Sequence, residues 1–177
     1  MKGMTNVFGE LDIKDRWNLK IIKVESHEVK SYTPIGMAYV MMRNASFEGK
    51  DISLSYKYGC VNTRDSFVVE CEENSSACII DFPGLSLLET RLFIQDCLDM
   101  GNLSYMDGGT NTTAINPGRL GDPVINYVHF PAHMYQTLHT HPSHRVGLVI
   151  RGNGKIELDN KEYYDINEGE IFFMRRN

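Results

Sequence analysis

Hydrophobic residues in the first half of the chain follow the period of β-strands. Some segments are nearly continuous apolar runs, typical of buried strands, and others alternate between apolar and polar positions. A polar turn at residues 72–76 separates the last two segments. Because no helical period appears among them, they predict antiparallel β-sheet. The predicted strands are residues 17–24, 35–42, 51–58, 66–70 and 77–82.

A helical pattern follows the last of these strands. Ser86 and Glu89 have the spacing of a capping box, in which each side chain bonds the other residue's backbone amide. The apolar positions that follow recur with helical spacing, and Gly101 is suited to end a helix. The sequence therefore predicts one α-helix, near residues 87–100.

A long connection separates this helix from the C-terminal part of the chain. Residues 105–123 are rich in Gly, Asn, Thr and Pro, which predicts a loop, and residues 124–130 resume a strand pattern. The predicted organisation has three parts: a β-rich N-terminal lobe, a helix with its connecting loop, and a C-terminal domain. These parts cover residues 1–85, 86–123 and 124–177.

Composition narrows the classes of partner. Of the 177 residues, 42% are hydrophobic and 23% are charged, as in ordinary globular proteins. A net charge of −5 without a basic run argues against nucleic-acid or anionic-membrane partners. The N-terminus carries no signal-like apolar stretch, so we expect a cytoplasmic protein. Four cysteines without a pairing motif are then expected to be buried or partly buried, reduced thiols; they are Cys60, Cys71, Cys78 and Cys97.

Candidate chemistry is concentrated in a cluster of histidines. His139 and His141 stand two positions apart just before a strand-like run, so both imidazoles can project into one cavity. Neutral imidazole is the commonest protein ligand for metals. His144 or His133 could supply a third ligand, and His129 is a weaker candidate. The alternative is a set of loop histidines that bind no ion.

The same stretch resembles the first motif of the cupin superfamily. That motif is a His-x-His pair, three or four residues, a glutamate, about six residues and a glycine. The spacing is kept here from His139 to Gly152, but Arg145 stands where the motif has its glutamate. Arginine has no acceptor atom and cannot bind a metal as the glutamate does.

Later residues extend the resemblance. Residues 155–166 look like the next cupin hairpin, and residues 168–174 look like the start of the second motif. The chain ends before the histidine that this motif supplies in the family. An apolar strand at the end of the sequence suggests a truncated reading frame; alternatively, N-terminal strands or a second subunit complete the sheet.

The resemblance implies a fold and a range of activities. The expected fold is all-β: a cupin-like jelly roll (a double-stranded β-helix) over residues 124–177, with an additional N-terminal β-rich lobe that could make the protein bicupin-like. The implied cofactor is a divalent transition metal (Fe, Mn, Zn or Ni), and the implied enzymes are metal-dependent isomerases or dioxygenases. A homodimer is also expected.

Arg145 suggests a ligand class. A guanidinium beside the pocket would attract a carboxylate or phosphate through its planar donor groups, although a strand arginine can equally pair with a nearby acid. Tyr135 and Gln136 are spaced to flank the pocket. The sequence thus predicts binding of a small anionic ligand, with a metal site at the histidines. The alternative is a non-catalytic ligand-sensing or assembly module without metal.

Overall fold

The computed structural model describes residues 4–14, 18–86, 89–95 and 100–176. Strands dominate, and a short 3₁₀ turn covers Met106–Gly108. The all-β fold class is therefore confirmed. The strands are β1 (Met4–Asn6), β2 (Glu10–Ile13), β3 (Leu19–Val24), β4 (Val29–Tyr32), β5 (Met37–Gly49), β6 (Ser53–Thr63), β7 (Phe67–Phe82), β8 (Arg91–Gln95), β9 (Leu103–Ser104), β10 (Thr110–Ile115), β11 (Ile125–His129), β12 (Arg145–Leu148), β13 (Asn153–Glu157), β14 (Tyr163–Asn167) and β15 (Ile171–Met174).

The N-terminal lobe is one antiparallel sheet in the order β2-β3-β7-β5-β6-β8, with β4 also pairing with β7. Both faces of its central strands are covered, so consecutive residues such as Ala38, Tyr39 and Val40 are all buried. This explains the nearly continuous apolar run in that stretch, because a strand covered on both sides needs no polar alternation. The predicted β content of this part is confirmed, but the sheet extends past residue 85 to β8, and the region 105–123, predicted as a loop, contains β10.

A large bulge interrupts the pairing of the two longest strands. Arg43 pairs with Ser76, but Ala45 pairs with Cys71, so residues 72–75 have no partner in this register. The strands can bend here because Asn44 and Asn74 adopt left-handed backbone conformations, with φ of 51° and 55°. The turn predicted at residues 72–76 is therefore an excursion within a continuous β7.

The predicted helix near residues 87–100 is wrong where the structure describes it. Residues 91–95 form strand β8, which pairs with β6 and places Leu92 opposite Val61. The buried side chain of Asn62 fixes this strand: its Oδ1 accepts from Arg91 N at 2.6 Å, and its Nδ2 donates to Glu89 O at 3.3 Å. Pairing with the edge of a sheet overrides the local helical signal. Residues 87, 88 and 96–99 lie outside the described part.

The described residues contain no helix long and apolar enough to cross a membrane.

The C-terminal strands form three small antiparallel units. Strand β15 lies between β1 and β12, β10 lies between β9 and β11, and β13 pairs with β14 as a hairpin. In the first unit Met4 faces Met174. An N-terminal strand therefore pairs with the last strand, which is one of the arrangements expected from the sequence.

One apolar core joins the N-terminal sheet to the C-terminal strands. Ile21, Tyr39 and Ile80 from the large sheet cluster with Ile171 and Phe173 of β15. All five are buried. Because these side chains share one core, the N-terminal sheet packs against β12 and β15.

Candidate ligand-binding site

The paired histidines lie in a loop rather than in a strand. Residues 130–144, which we call the histidine loop, connect β11 to β12 and contain no regular strand. Within it the rings of His139 and His141 meet edge to face, with centroids 4.7 Å apart and planes at 84°. The structure therefore brings together the two imidazoles that the sequence predicts to act as a pair.

His139 has one ring nitrogen engaged and one left over. Its Nδ1 lies 2.7 Å from Thr137 O. Because a carbonyl oxygen can only accept, Nδ1 must carry the hydrogen in this contact. Nε2 is buried and has no hydrogen-bond partner. A neutral His139 therefore presents an unshared electron pair on Nε2.

His141 is partly buried beside a positive charge. Burial, and to a smaller extent the neighbouring charge of Arg145, lowers the pKa of His141. The neutral imidazole is thus favoured over the charged one. Neutral imidazole is the form that accepts a hydrogen bond or binds a metal ion.

Arg145 begins strand β12 and is exposed. Its Nη1 donates to Ser143 Oγ at 3.1 Å. Within the described residues it forms no ion pair with a carboxylate. The alternative of a strand arginine held by a nearby acid has no support there, and the guanidinium keeps donors available to a ligand.

The two predicted flanking residues differ in their surroundings. Gln136 carries a buried Nε2 with no partner. Tyr135 is 68% exposed, and its hydroxyl donates to Glu157 Oε2 at 3.2 Å, on strand β13. The negative charge of Glu157 raises the pKa of Tyr135. Gln136 therefore keeps an unsatisfied donor, whereas the hydroxyl of Tyr135 is already engaged by Glu157.

The other histidines do not join the pair in a metal cage. His144 Nδ1 accepts from Arg176 N at 3.1 Å, and the ring lies 5.3 Å from that of Phe173. His133 is exposed in a turn, with φ of 61°. His129 ends β11 with a buried, unpartnered Nδ1. Among the described residues, no group of three or more His, Cys, Asp or Glu side chains could hold a metal ion.

Two residues of the site region carry no sequence signal for their role. Asp107, in the 3₁₀ turn, accepts from Thr137 N at 2.8 Å through Oδ2. Thr137 is in turn the residue whose carbonyl meets His139. Asp107 sits in an Asp-Gly-Gly stretch that predicts only a turn, and the contact spans 30 residues of sequence.

Two clefts lie away from the histidine loop. One of about 370 Å³ is mostly polar and includes Arg43, Ser76 and Glu168 among its lining residues. Another of about 290 Å³ includes Tyr32 and Ser66. Neither is lined by a residue of the histidine loop, so both clefts are separate from the candidate site.

Comparison with known proteins supports this view of the fold. Residues 121–177 match the family model of the AraC-like ligand binding domain, which covers about a third of the chain. The recognition of a cupin-type jelly roll is confirmed, and residues 121–177 are similar to AraC-like ligand binding domains. No curated protein sequence matches the chain.

Two solved structures are similar to the chain. The first is a protein of unknown function from the DUF861 family of Pseudomonas syringae pv. tomato: TM-score 0.55, 11% identity, 97% of this chain and 77% of that chain covered. The second is an IolB-like protein from Salmonella typhimurium: TM-score 0.48, 12% identity, 88% of this chain and 73% of that chain covered. The first likeness shows the fold and nothing beyond it.

Proposed function

We propose that this protein binds a small anionic molecule at the histidine loop. The observation that carries the proposal is that Gln136 Nε2 and His139 Nε2 are both buried without a partner. Buried polar atoms are nearly always hydrogen-bonded, and leaving one unpaired costs about 1–3 kcal/mol. An oxygen of an anion can accept from Gln136 Nε2, whereas His139 Nε2 is an acceptor and needs a hydroxyl donor or a metal ion from the ligand.

The positive charge of Arg145 next to His141 favours an anion. Arg145 begins β12 and pairs with no carboxylate among the described residues. Its guanidinium matches the two oxygens of a carboxylate or a phosphate. The lowered pKa of His141 keeps a neutral acceptor and donor beside it. We infer that Arg145 provides the charge and Gln136 provides a neutral donor.

A divalent metal such as Fe, Mn, Zn or Ni at His139 and His141 is a second candidate. The unpaired Nε2 of His139 and the neutral ring of His141 are suitable donors. Because the described residues supply two imidazoles and no third group, water or the ligand would complete the coordination. When bound, the ion would act as a Lewis acid, and an isomerase or dioxygenase activity depends on it.

Two observations favour binding without catalysis over catalysis. The matched family is a ligand-binding domain, and the described residues form no complete metal cage. We therefore propose a ligand-sensing role ahead of an enzymatic one.

A cytoplasmic homodimer is part of the same proposal. Leu92 and Ile94, on the edge strand β8, are exposed apolar residues that a second copy could cover.

The test uses inorganic phosphate and succinate as probes. Binding is followed by chemical shifts of the histidine side chains and by titration calorimetry. We expect saturable binding that the Arg145→Gln variant weakens by about tenfold or more, the cost of one lost charge-assisted contact. The matched control is Arg64→Gln, an exposed arginine of the N-terminal lobe, which should bind as the native protein does. Equal affinities in the two variants would remove Arg145 from the site.

Metal binding is tested separately by metal analysis of the purified protein and by titration with Zn²⁺. We expect the His139→Ala/His141→Ala double variant to lose any bound metal. If the native protein takes up no metal on reconstitution, the second candidate fails and the anion proposal stands on its own result.

A further inference from the structure

A chain of two hydrogen bonds links the 3₁₀ turn to the candidate site. Asp107 Oδ2 accepts from Thr137 N at 2.8 Å, and Thr137 O lies 2.7 Å from His139 Nδ1. The backbone amide of Thr137 therefore bonds the Asp107 carboxylate, and its carbonyl bonds the His139 imidazole. The Thr137 side chain also donates to Asp107, so Asp107 holds Thr137 through both its backbone amide and its side chain, and the Thr137 carbonyl continues the link to His139.

The turn that carries Asp107 is closed by its own hydrogen bonds. Tyr105 N donates to Gly109 O at 2.8 Å, and Gly109 N donates to Met106 O at 3.1 Å. Asp107 itself has φ of 55°, a left-handed conformation that aspartate, asparagine and glycine adopt most readily. The backbone that carries Asp107 is thus held by bonds that do not involve the histidine loop.

The histidine loop, in contrast, has little internal support. It contains no regular strand, and the backbone bond from Met134 N to Pro131 O closes only its first turn. A loop of this kind is ordered chiefly by contacts with its surroundings. Asp107 contacts Thr137, which lies two residues before His139, so this contact can control the direction of the His139 ring.

We propose that Asp107 is a positioning residue for His139: it holds Thr137 so that the Thr137 carbonyl fixes hydrogen on Nδ1 and leaves Nε2 free for the ligand. This inference rests on the proposed function in one respect, that His139 belongs to a binding site. The tautomer of a neutral imidazole is set by the hydrogen bond that its other nitrogen makes. Such outer contacts affect binding by about 10- to 100-fold in metal sites.

The experiment compares two substitutions that both tolerate the left-handed backbone. Asp107→Gly removes the acceptor, and Asp107→Asn keeps an acceptor oxygen of the same size. Nitrogen chemical shifts of the His139 ring report its tautomer without any ligand. We expect the native protein and Asp107→Asn to hold hydrogen on Nδ1, and Asp107→Gly to show a mixture of tautomers. Titration with Zn²⁺ should then show about tenfold weaker binding in Asp107→Gly.

The control for added backbone freedom is Lys161→Gly. Lys161 has φ of 64° in the turn between β13 and β14, so glycine there has a similar backbone effect away from the histidine loop. It should leave the His139 tautomer unchanged. An unchanged tautomer in a folded Asp107→Gly variant would overturn the role of Asp107. Absence of Zn²⁺ and anion binding in the native protein would instead reject the proposed function, and the tautomer would still decide the inference.

Discussion

Arg43 and Glu168, 125 residues apart in the sequence, form an ion pair between strand β5 and the turn before β15. The same guanidinium donates from Nε to Ile150 O at 2.9 Å and from Nη1 to Asn74 O at 2.5 Å. Glu168 in turn accepts from Gly152 N at 3.1 Å. This group of contacts connects the bulge of the large sheet to the loops on both sides of the β13–β14 hairpin.

Loss of Arg43 should destabilise the fold. The Arg43 side chain is 10% exposed, whereas that of Glu168 is 43% exposed and can be solvated when its partner is gone. We therefore expect Arg43→Ala to lower the free energy of unfolding by about 2–3 kcal/mol, less than the 3–5 kcal/mol typical of a fully buried pair. Urea denaturation measures the change.

An exposed ion pair provides the matched control. Lys155 Nζ lies 3.6 Å from Asp165 Oδ1, and the two side chains are 69% and 70% exposed. Surface pairs of this kind contribute little, so Lys155→Ala should change the free energy of unfolding by less than about 0.5 kcal/mol. If both alanine variants have the same stability, the contacts of Arg43 contribute nothing specific.

Acid should weaken the same connection. The hydrogen bond from Arg43, followed by that from the Gly152 amide, lowers the pKa of Glu168 below its ordinary value of 4.5. A group whose pKa is lower in the folded state stabilises the fold above its unfolded pKa, and that stabilisation is lost as the pH falls through the folded value. Part of the stability should therefore disappear as the pH falls below about 4.5. Denaturation of native protein and of Glu168→Gln at pH 7 and pH 3.5 tests this: the variant should lose less on acidification, and parallel losses would exclude Glu168.

How much of this could be predicted from the sequence depends on how local each signal is. The spacing from His139 to Gly152 was enough to indicate a cupin-type domain, because that motif lies within a few consecutive residues. The apolar runs of the large sheet were equally local. Contacts such as Arg43 with Glu168, or Asp107 with Thr137, connect residues far apart in the chain and leave no periodic trace.

The helix error has the same origin. Ser86, Glu89 and Gly101 satisfy the local rules for starting and ending a helix. The residues between Glu89 and Gln95 instead meet the free edge of β6, where Asn62 bonds both Glu89 O and Arg91 N. A buried asparagine 27 residues before Glu89 decides the outcome, and no window of local sequence contains it.

The cysteines of the large sheet should be unreactive in the folded protein. Cys60, Cys71 and Cys78 are free and buried, as the sequence predicts. Burial raises the pKa of Cys60 to about 12 and that of Cys71 to about 11. Because the thiolate is the reactive form, alkylation at pH 8 should be slow until the protein is denatured.

Mass spectrometry after iodoacetamide treatment measures that reactivity. The experiment is best done in a Cys97→Ser background, because Cys97 lies outside the described residues. Rapid alkylation of Cys78 in the native state, where the side chain is 0% exposed, would contradict the burial of this strand.

Asp81 should matter more to stability than any other acidic side chain of the large sheet's core. It is 0% exposed and accepts three hydrogen bonds: from Tyr32 Oη at 2.9 Å, Ile35 N at 2.8 Å and Gly36 N at 3.3 Å. These bonds close the segment between β4 and β5 against β7. An amide in its place has one acceptor oxygen instead of two and would face a donor with its own NH₂. We expect Asp81→Asn to cost about 1–3 kcal/mol in free energy of unfolding, because one buried donor is left unpaired.

The Tyr32→Phe variant separates the hydroxyl bond from the two backbone bonds. It removes one donor and leaves the carboxylate with Ile35 N and Gly36 N, so it should cost about 1 kcal/mol. The Tyr32→Phe/Asp81→Asn double variant should lose less free energy of unfolding than the two single variants lose together, because the two residues share one hydrogen bond. Urea denaturation of all four proteins measures the coupling. Strict additivity would mean that the contact at 2.9 Å between Tyr32 and Asp81 does not stabilise the folded protein, and that the backbone amides alone account for the burial of this carboxylate.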